Sequence, residues 1–139
     1  MGSLDDLKIL DFSTLLPGPY ATLMLADMGA EVLKISSASR PDIVLDYPPF
    51  IGDTGVSASQ AWLGRNKKTM FLNLKTGEGK AVVKELVKEY DIVLEQFRPG
   101  VMEKLGLGYE DLKAVNPKLI YCSLTGYGQT GPLRDAAGH

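Results

Sequence analysis

Short apolar runs alternate along this chain with helical stretches, and that alternation limits its fold more than any other feature. Lys8 to Phe12 is a compact apolar run bounded by Ser13 and Thr14, which predicts a first strand. Pro19 suits the first turn of a helix, where its missing N–H costs nothing. The stretch Tyr20 to Met28 is apolar nearly all round, so a buried helix is expected, closed by Gly29. Glu31 to Ile35 follows as a second strand. In Lys68 to Leu74, the third, Met70, Leu72 and Leu74 alternate with Thr69, Phe71 and Asn73. Thr76 is placed to cap a helix running to Tyr90, whose Val82, Val83, Leu86, Val87 and Tyr90 share one face. Residues 91–96 and 119–124 complete the set of strands, with a short helix from about Tyr109 to Val115 between them. Strands that alternate with helices predict one open parallel sheet joined by right-handed crossovers.

Two segments break the rhythm. Ser36 to Gly64 shows no periodicity and carries Pro41, Pro48, Pro49, Gly52 and Gly55, which reads as a binding loop, a partner contact or a disordered stretch. Thr125 to His139 is a glycine-rich turn after the last strand. A parallel sheet places its ligands just beyond strand C-termini, so a chain that stops there reads as a fragment. The 139 residues suffice for one domain with a core. A net charge of −2 gives no reason to expect nucleic acid or an anionic membrane as partner. No run approaches the ~20 apolar residues of a membrane span, and Met1 to Asp6 lacks a signal-peptide pattern. A cytoplasmic location is expected. The one cysteine, Cys122, cannot form an internal disulfide and is expected to be a buried spectator.

Gly126-Tyr127-Gly128-Gln129-Thr130-Gly131 matches the dinucleotide fingerprint literally. Pro132 follows it, though, where a helix should open, and it comes after the fifth strand rather than the first; a glycine-rich turn is the better reading. Leu16-Pro17-Gly18-Pro19-Tyr20 makes a tight strand-to-helix turn. Lys75 and Arg98 are expected at adjacent strand ends on the carboxyl edge, with Lys104 a turn after Arg98 and Phe97 free to lie against an adenine or pantetheine. Cations there suit a phosphorylated ligand. With one histidine and one cysteine, neither a Ser-His-Asp set nor a metal cluster can be assembled.

Taken in order, several segments resemble the opening of the family III CoA-transferases. They are Lys8-Ile9-Leu10-Asp11-Phe12, Pro17-Gly18-Pro19, Leu25 to Val32, Gly64-Arg65-Asn66-Lys67-Lys68, Leu72-Asn73-Leu74-Lys75, Phe97 to Val101, and Asn116 to Pro132. The resemblance implies a Rossmann-like N-terminal α/β domain over residues 1–139, a second domain downstream and an interlocked homodimer. It implies no metal and no bound cofactor, with coenzyme A entering as part of an acyl-CoA substrate. Leu72, Asn73, Leu74 and Lys75 fall on one CoA contact, Asn73 standing where an Asp is usual, and Gln96, Phe97 and Arg98 fall on another. Lys104, Gly138 and a displaced Arg40-Pro41 pair complete the implied CoA set. Ala137-Gly138-His139 matches the 2-methylacyl-CoA racemase pattern, in which His139 would be one of two bases flanking the substrate Cα. Its carboxylate partner would lie beyond residue 139. The expected activity is therefore racemisation. One alternative is transfer of CoA between carboxylic acids through that downstream carboxylate. Another is a truncated, non-catalytic CoA-binding or dimer-forming module.

Overall fold

The computed structural model describes residues 2–138. Five parallel strands form one sheet: β1 (Lys8–Asp11), β2 (Glu31–Ser36), β3 (Lys67–Phe71), β4 (Ile92–Glu95) and β5 (Ile120–Ser123), in the order β3-β2-β1-β4-β5. All four pairings are parallel, with Leu10 opposite Leu33 on one side and Val93 on the other. The expected α/β architecture is thus present. Helices α1 (Pro17–Asp27), α2 (Ala58–Leu63), α3 (Gly77–Val87), α4 (Val101–Lys104) and α5 (Tyr109–Lys113) supply the connections. Among the described residues no helix is long and apolar enough to cross a membrane.

The two faces of the sheet are covered unequally. Leu10, Phe12, Leu33, Ile35 and Val93 point to one side, where Val83 and Val87 of α3, Met102, Leu107 and Leu112 seal the main core. Ile9 and Val32 point to the other, against Ala26 of α1. Because side chains alternate along a strand, the central strands bury both rows, which is why they read as continuous apolar runs.

Four expectations are corrected here. The third strand stops at Phe71, not Leu74, because its neighbour β2 ends at Ser36 and the last ladder bond is Leu72 N–H to the Ser36 carbonyl, 2.9 Å. Beyond it, the Asn73 side chain accepts the Lys75 N–H at 3.1 Å and turns the chain. Leu72 and Leu74 still pack on the core from this turn, so the alternation reported burial correctly and strand length wrongly. Helix α1 is not buried all round: Leu16, Tyr20, Met24 and Met28 leave an exposed apolar stripe. Cys122 is exposed, not a buried spectator, since β5 is an edge strand and α1 packs on β1 and β2 instead. Finally, the aperiodic segment holds a 3₁₀ turn at Ile43–Asp46 and helix α2. Asp42 caps the first through the Val44 N–H, and Ser57 caps the second through the Gln60 N–H. These elements are too short to show a helical period.

Candidate functional site

The strand order reverses between β1 and β4, so chain connections leave those strands in opposite directions; beyond the carboxyl ends at such a switch point, open α/β sheets form their ligand crevice. The β1 side of this crevice is built on buried polar groups. Asp11 accepts the Ser13 N–H at 2.8 Å, the Ser13 hydroxyl, and the Thr22 hydroxyl. Lys67 lies 3.6 Å from the same carboxylate and donates to Thr22 Oγ1 at 2.7 Å and to the Pro19 carbonyl at 2.6 Å. Both charged side chains are almost fully enclosed. Burial holds the Lys67 ammonium below the usual lysine range, although Asp11 pulls the other way. With every charge answered by a partner, the network fixes the first turn of α1 rather than reaching a ligand.

Gln96 completes that turn from β4. Its amide donates to the Thr14 carbonyl at 2.6 Å and accepts the Gly18 N–H at 3.0 Å. A β-carbon on Gly18 would stand 2.2 Å from Ser13 Cβ, so the Pro-Gly-Pro turn needs glycine for close packing of helix on strand. Leu15, between the two Gln96 contacts, has φ +60 and donates its N–H to Asp42 at 3.0 and 3.2 Å. Glu95, beside Gln96, is buried and accepts the Phe97 N–H at 2.8 Å; burial raises its carboxyl above the usual range.

A second hollow of about 400 Å³ opens at the β2 and β3 end of the same edge. Ser36, Ser37, Pro41, Gln60 and Phe71 line it, over the buried Lys34–Asp42 ion pair at 3.1 Å. Sequence reading missed Lys34 and Asp42. The one available signal was an unexpected lysine inside an apolar strand, since a buried lysine requires a partner.

The residues expected in the site do not form one cluster. Lys75 follows β3 and Arg98 follows β4, but β2 and β1 intervene, so the strands they follow are three spacings, or ~14 Å, apart. They are not at adjacent strand ends, and Lys75 sits in a turn rather than ending a strand. Leu72, Leu74 and Phe97 are partly buried against the main core, Asn73 shapes the Lys75 turn, and Gln96 is committed to the backbone of the β1–α1 connection. Arg40 is exposed in the bend after β2, and Lys104 is exposed at the end of α4. Among the described residues, none of Arg40, Lys75, Arg98 and Lys104 has a carboxylate at ion-pair distance. Gly138 packs on Gly126, where either β-carbon would collide with the other backbone. His139 lies outside the described residues. The Gly126–Gly131 stretch opens no helix, in keeping with a glycine-rich turn.

One cation escaped the sequence reading. Arg134 lies over the turn after β4, its Nη2 3.6 Å from where a Gly100 β-carbon would be, so it flanks the Arg98-Pro99-Gly100 turn. No local pattern could have shown this, because the contact joins residues over thirty positions apart. Arg65 and Asn66, by contrast, are spent internally: both hydrogen-bond the Asp27 carboxylate, and Arg65 holds it below the usual carboxylate range.

Known proteins resemble this chain over almost its whole length. The chain is 42% identical over 137 residues to the human succinyl-CoA:glutarate CoA-transferase, spanning 98% of this chain and 31% of that enzyme. It is 44% identical over 138 residues to the succinyl-CoA–D-citramalate CoA-transferase of Chloroflexus aurantiacus, at 97% and 33% coverage. The crystal structure of a CAIB/BAIF family protein from Brucella suis superposes with a TM-score of 0.92 at 40% identity, over 99% of this chain and 37% of that one. The chain thus spans about a third of the length of the curated relatives it matches. The model of CoA-transferase family III matches residues 4–139, and the chain belongs to that family.

Proposed function

We propose that the full-length protein moves coenzyme A from a thioester donor to a free carboxylic acid, and that this chain supplies the CoA-binding edge. The observation that carries the reading is the family match over residues 4–139. The relatives named above are CoA-transferases, so transfer takes precedence over the racemisation expected from Ala137-Gly138-His139. Both take succinyl-CoA in their names and pair it with a dicarboxylate, which makes a short dicarboxylic acid the favoured acceptor here.

The chain's own residues suit the ligand. CoA is long and carries its phosphates at separated points, and the free cations are likewise spread along the carboxyl edge rather than gathered. Arg98, beside the switch-point crevice, can offer a planar fork to a diphosphate, and Arg134, which leans over the same turn with its Nη1 3.7 Å from the exposed Asp135, can exchange that partner for a phosphate. Arg40 and Lys75 lie toward the β2 and β3 end, where the 400 Å³ hollow offers room for the nucleotide. Leu72, Asn73 and Leu74 bring Lys75 to that end, while Gln96 and Phe97 set the position of Arg98. Lys104 and Gly138 complete the proposed contact set. The thioester end then reaches the crevice between β1 and β4. The nucleophile, on this reading a carboxylate, comes from the part of the protein beyond residue 139.

The test is to give the full-length protein succinyl-CoA with glutarate, D-citramalate or a monocarboxylate and to separate the thioesters formed. A new dicarboxyl-CoA, with succinate released in equal amount, is the expected result. Tight CoA binding without turnover would instead favour a non-catalytic module.

A further inference from the structure

Leu15 adopts the left-handed region at φ +60, which residues other than Gly, Asn and Asp rarely enter. Strain of this kind persists only where the surroundings hold it. Here it is held from two sides at the mouth of the switch-point crevice. Gln96 grips Thr14 and Gly18, one on each side of the strained residue. Asp42 takes the Leu15 N–H itself with both carboxylate oxygens. The Asp42 carboxylate is 4% exposed, and it also receives the Lys34 ammonium at 3.1 Å and the Val44 N–H at 3.3 Å. Val44 belongs to the 3₁₀ turn that follows Arg40 and Pro41, and Pro41 and Asp42 both line the 400 Å³ hollow. One buried carboxylate therefore ties the wall of the hollow to the backbone at the crevice. If segment 40–46 shifts when a ligand enters, the acceptor that stabilises Leu15 shifts with it.

We propose that Asp42 is a positioning residue that couples occupancy of the β2–β3 hollow to the conformation of the Leu15 turn at the β1–β4 crevice. On the CoA-transfer reading, on which this inference rests, contacts at the nucleotide end of CoA set the geometry at its thioester end. Binding energy from a non-reacting part of the substrate is then used at the reacting part.

The test uses the full-length protein and four variants: Asp42→Ala, Lys34→Met/Asp42→Ala, and each of these with Leu15→Asn added. The Lys34→Met change keeps a buried ammonium from being stranded, so a folding failure of the single variant does not end the test. Asparagine enters the left-handed region readily, so Leu15→Asn should hold the turn without the clamp. Amide exchange of residues 12–18 is measured with and without saturating CoA. CoA should slow exchange there in the wild type and fail to do so in the Asp42 variants. In CoA transfer, both Asp42 variants should lose about 10–100-fold in kcat, the scale of a slightly misplaced reacting group, with KM for the thioester within about threefold. Adding Leu15→Asn should restore most of the lost kcat. Unchanged kcat, a loss that Leu15→Asn does not repair, or CoA protection of residues 12–18 that survives Asp42→Ala would each overturn the coupling. A protein that binds CoA but turns nothing over fails the transfer reading alone, and the exchange comparison still decides the coupling; absence of CoA binding overturns both.

Discussion

Glu95 ends β4 with its carboxylate buried between the Phe97 N–H and the Ser123 hydroxyl, and burial raises its pKa in spite of both donors. A carboxylate whose pKa is higher folded than unfolded adds stability that is complete below the unfolded value, about 4.3. That stability is lost as pH rises through the folded value. Glu95→Gln keeps an acceptor for Phe97 and removes the titration. Its melting temperature relative to wild type should therefore rise as pH increases from about 4 toward neutrality; a difference that stays flat across that range contradicts the burial argument. Arg98, exposed and free of any carboxylate partner among the described residues, behaves differently. Arg98→Ala should weaken CoA binding by about 1–3 kcal/mol in titration calorimetry, and Lys75→Ala by the lower part of that range. Unchanged affinity in both variants would remove the phosphate assignment. At this scale the sequence placed Lys75 and Arg98 in the turns that follow β3 and β4. It could not show that Lys67 and Arg65 are spent on Asp11 and Asp27, or that Arg134 lies over the turn at Gly100, because those contacts are set by the tertiary fold.

The first turn of α3 holds two glycines that look like flaws in a helix, and the structure separates them. A β-carbon on Gly79 would fall 2.1 Å from the Asn73 carbonyl oxygen, whereas one on Gly77 meets nothing within 4 Å. Gly77→Ala should therefore stabilise the protein by about 0.4–1 kcal/mol, through loss of unfolded-state freedom. Gly79→Ala should destabilise it, because backbone must move to admit the methyl group. Equal and favourable shifts in the denaturation midpoint for both would contradict the packing assigned to the Asn73 turn. The strand starts and the face of α3 were readable from periodicity alone. The ends of β3 and α3 were not, since one depends on where β2 stops and the other on a turn that brings Tyr90 into the core. The 3₁₀ turn and α2 were missed for a related reason: their signal is a capping side chain, Asp42 or Ser57, with almost no apolar repeat behind it.

As a whole, the molecule covers one face of its sheet well and leaves apolar surface on the other. Leu16, Tyr20, Met24 and Met28 recur every four residues along α1, and Trp62 packs beside Tyr20 with ring centroids 5.7 Å apart. On β5, Ile120 is 59% exposed. Surface of this kind promotes association. The isolated 139-residue chain should sediment with a mass that grows with concentration, and Met24→Glu should move it toward monomer; a monomer at every concentration contradicts this. CoA transfer and Cα proton exchange are separated in one experiment. The full-length protein is incubated in D₂O with succinyl-CoA, ¹³C-labelled glutarate and a 2-methylacyl-CoA, and every thioester is followed by mass. Labelled glutaryl-CoA is expected, with no deuterium entering the Cα position of the 2-methylacyl-CoA. Deuterium accumulating at that carbon while no labelled thioester forms would contradict it and return the racemase reading to first place.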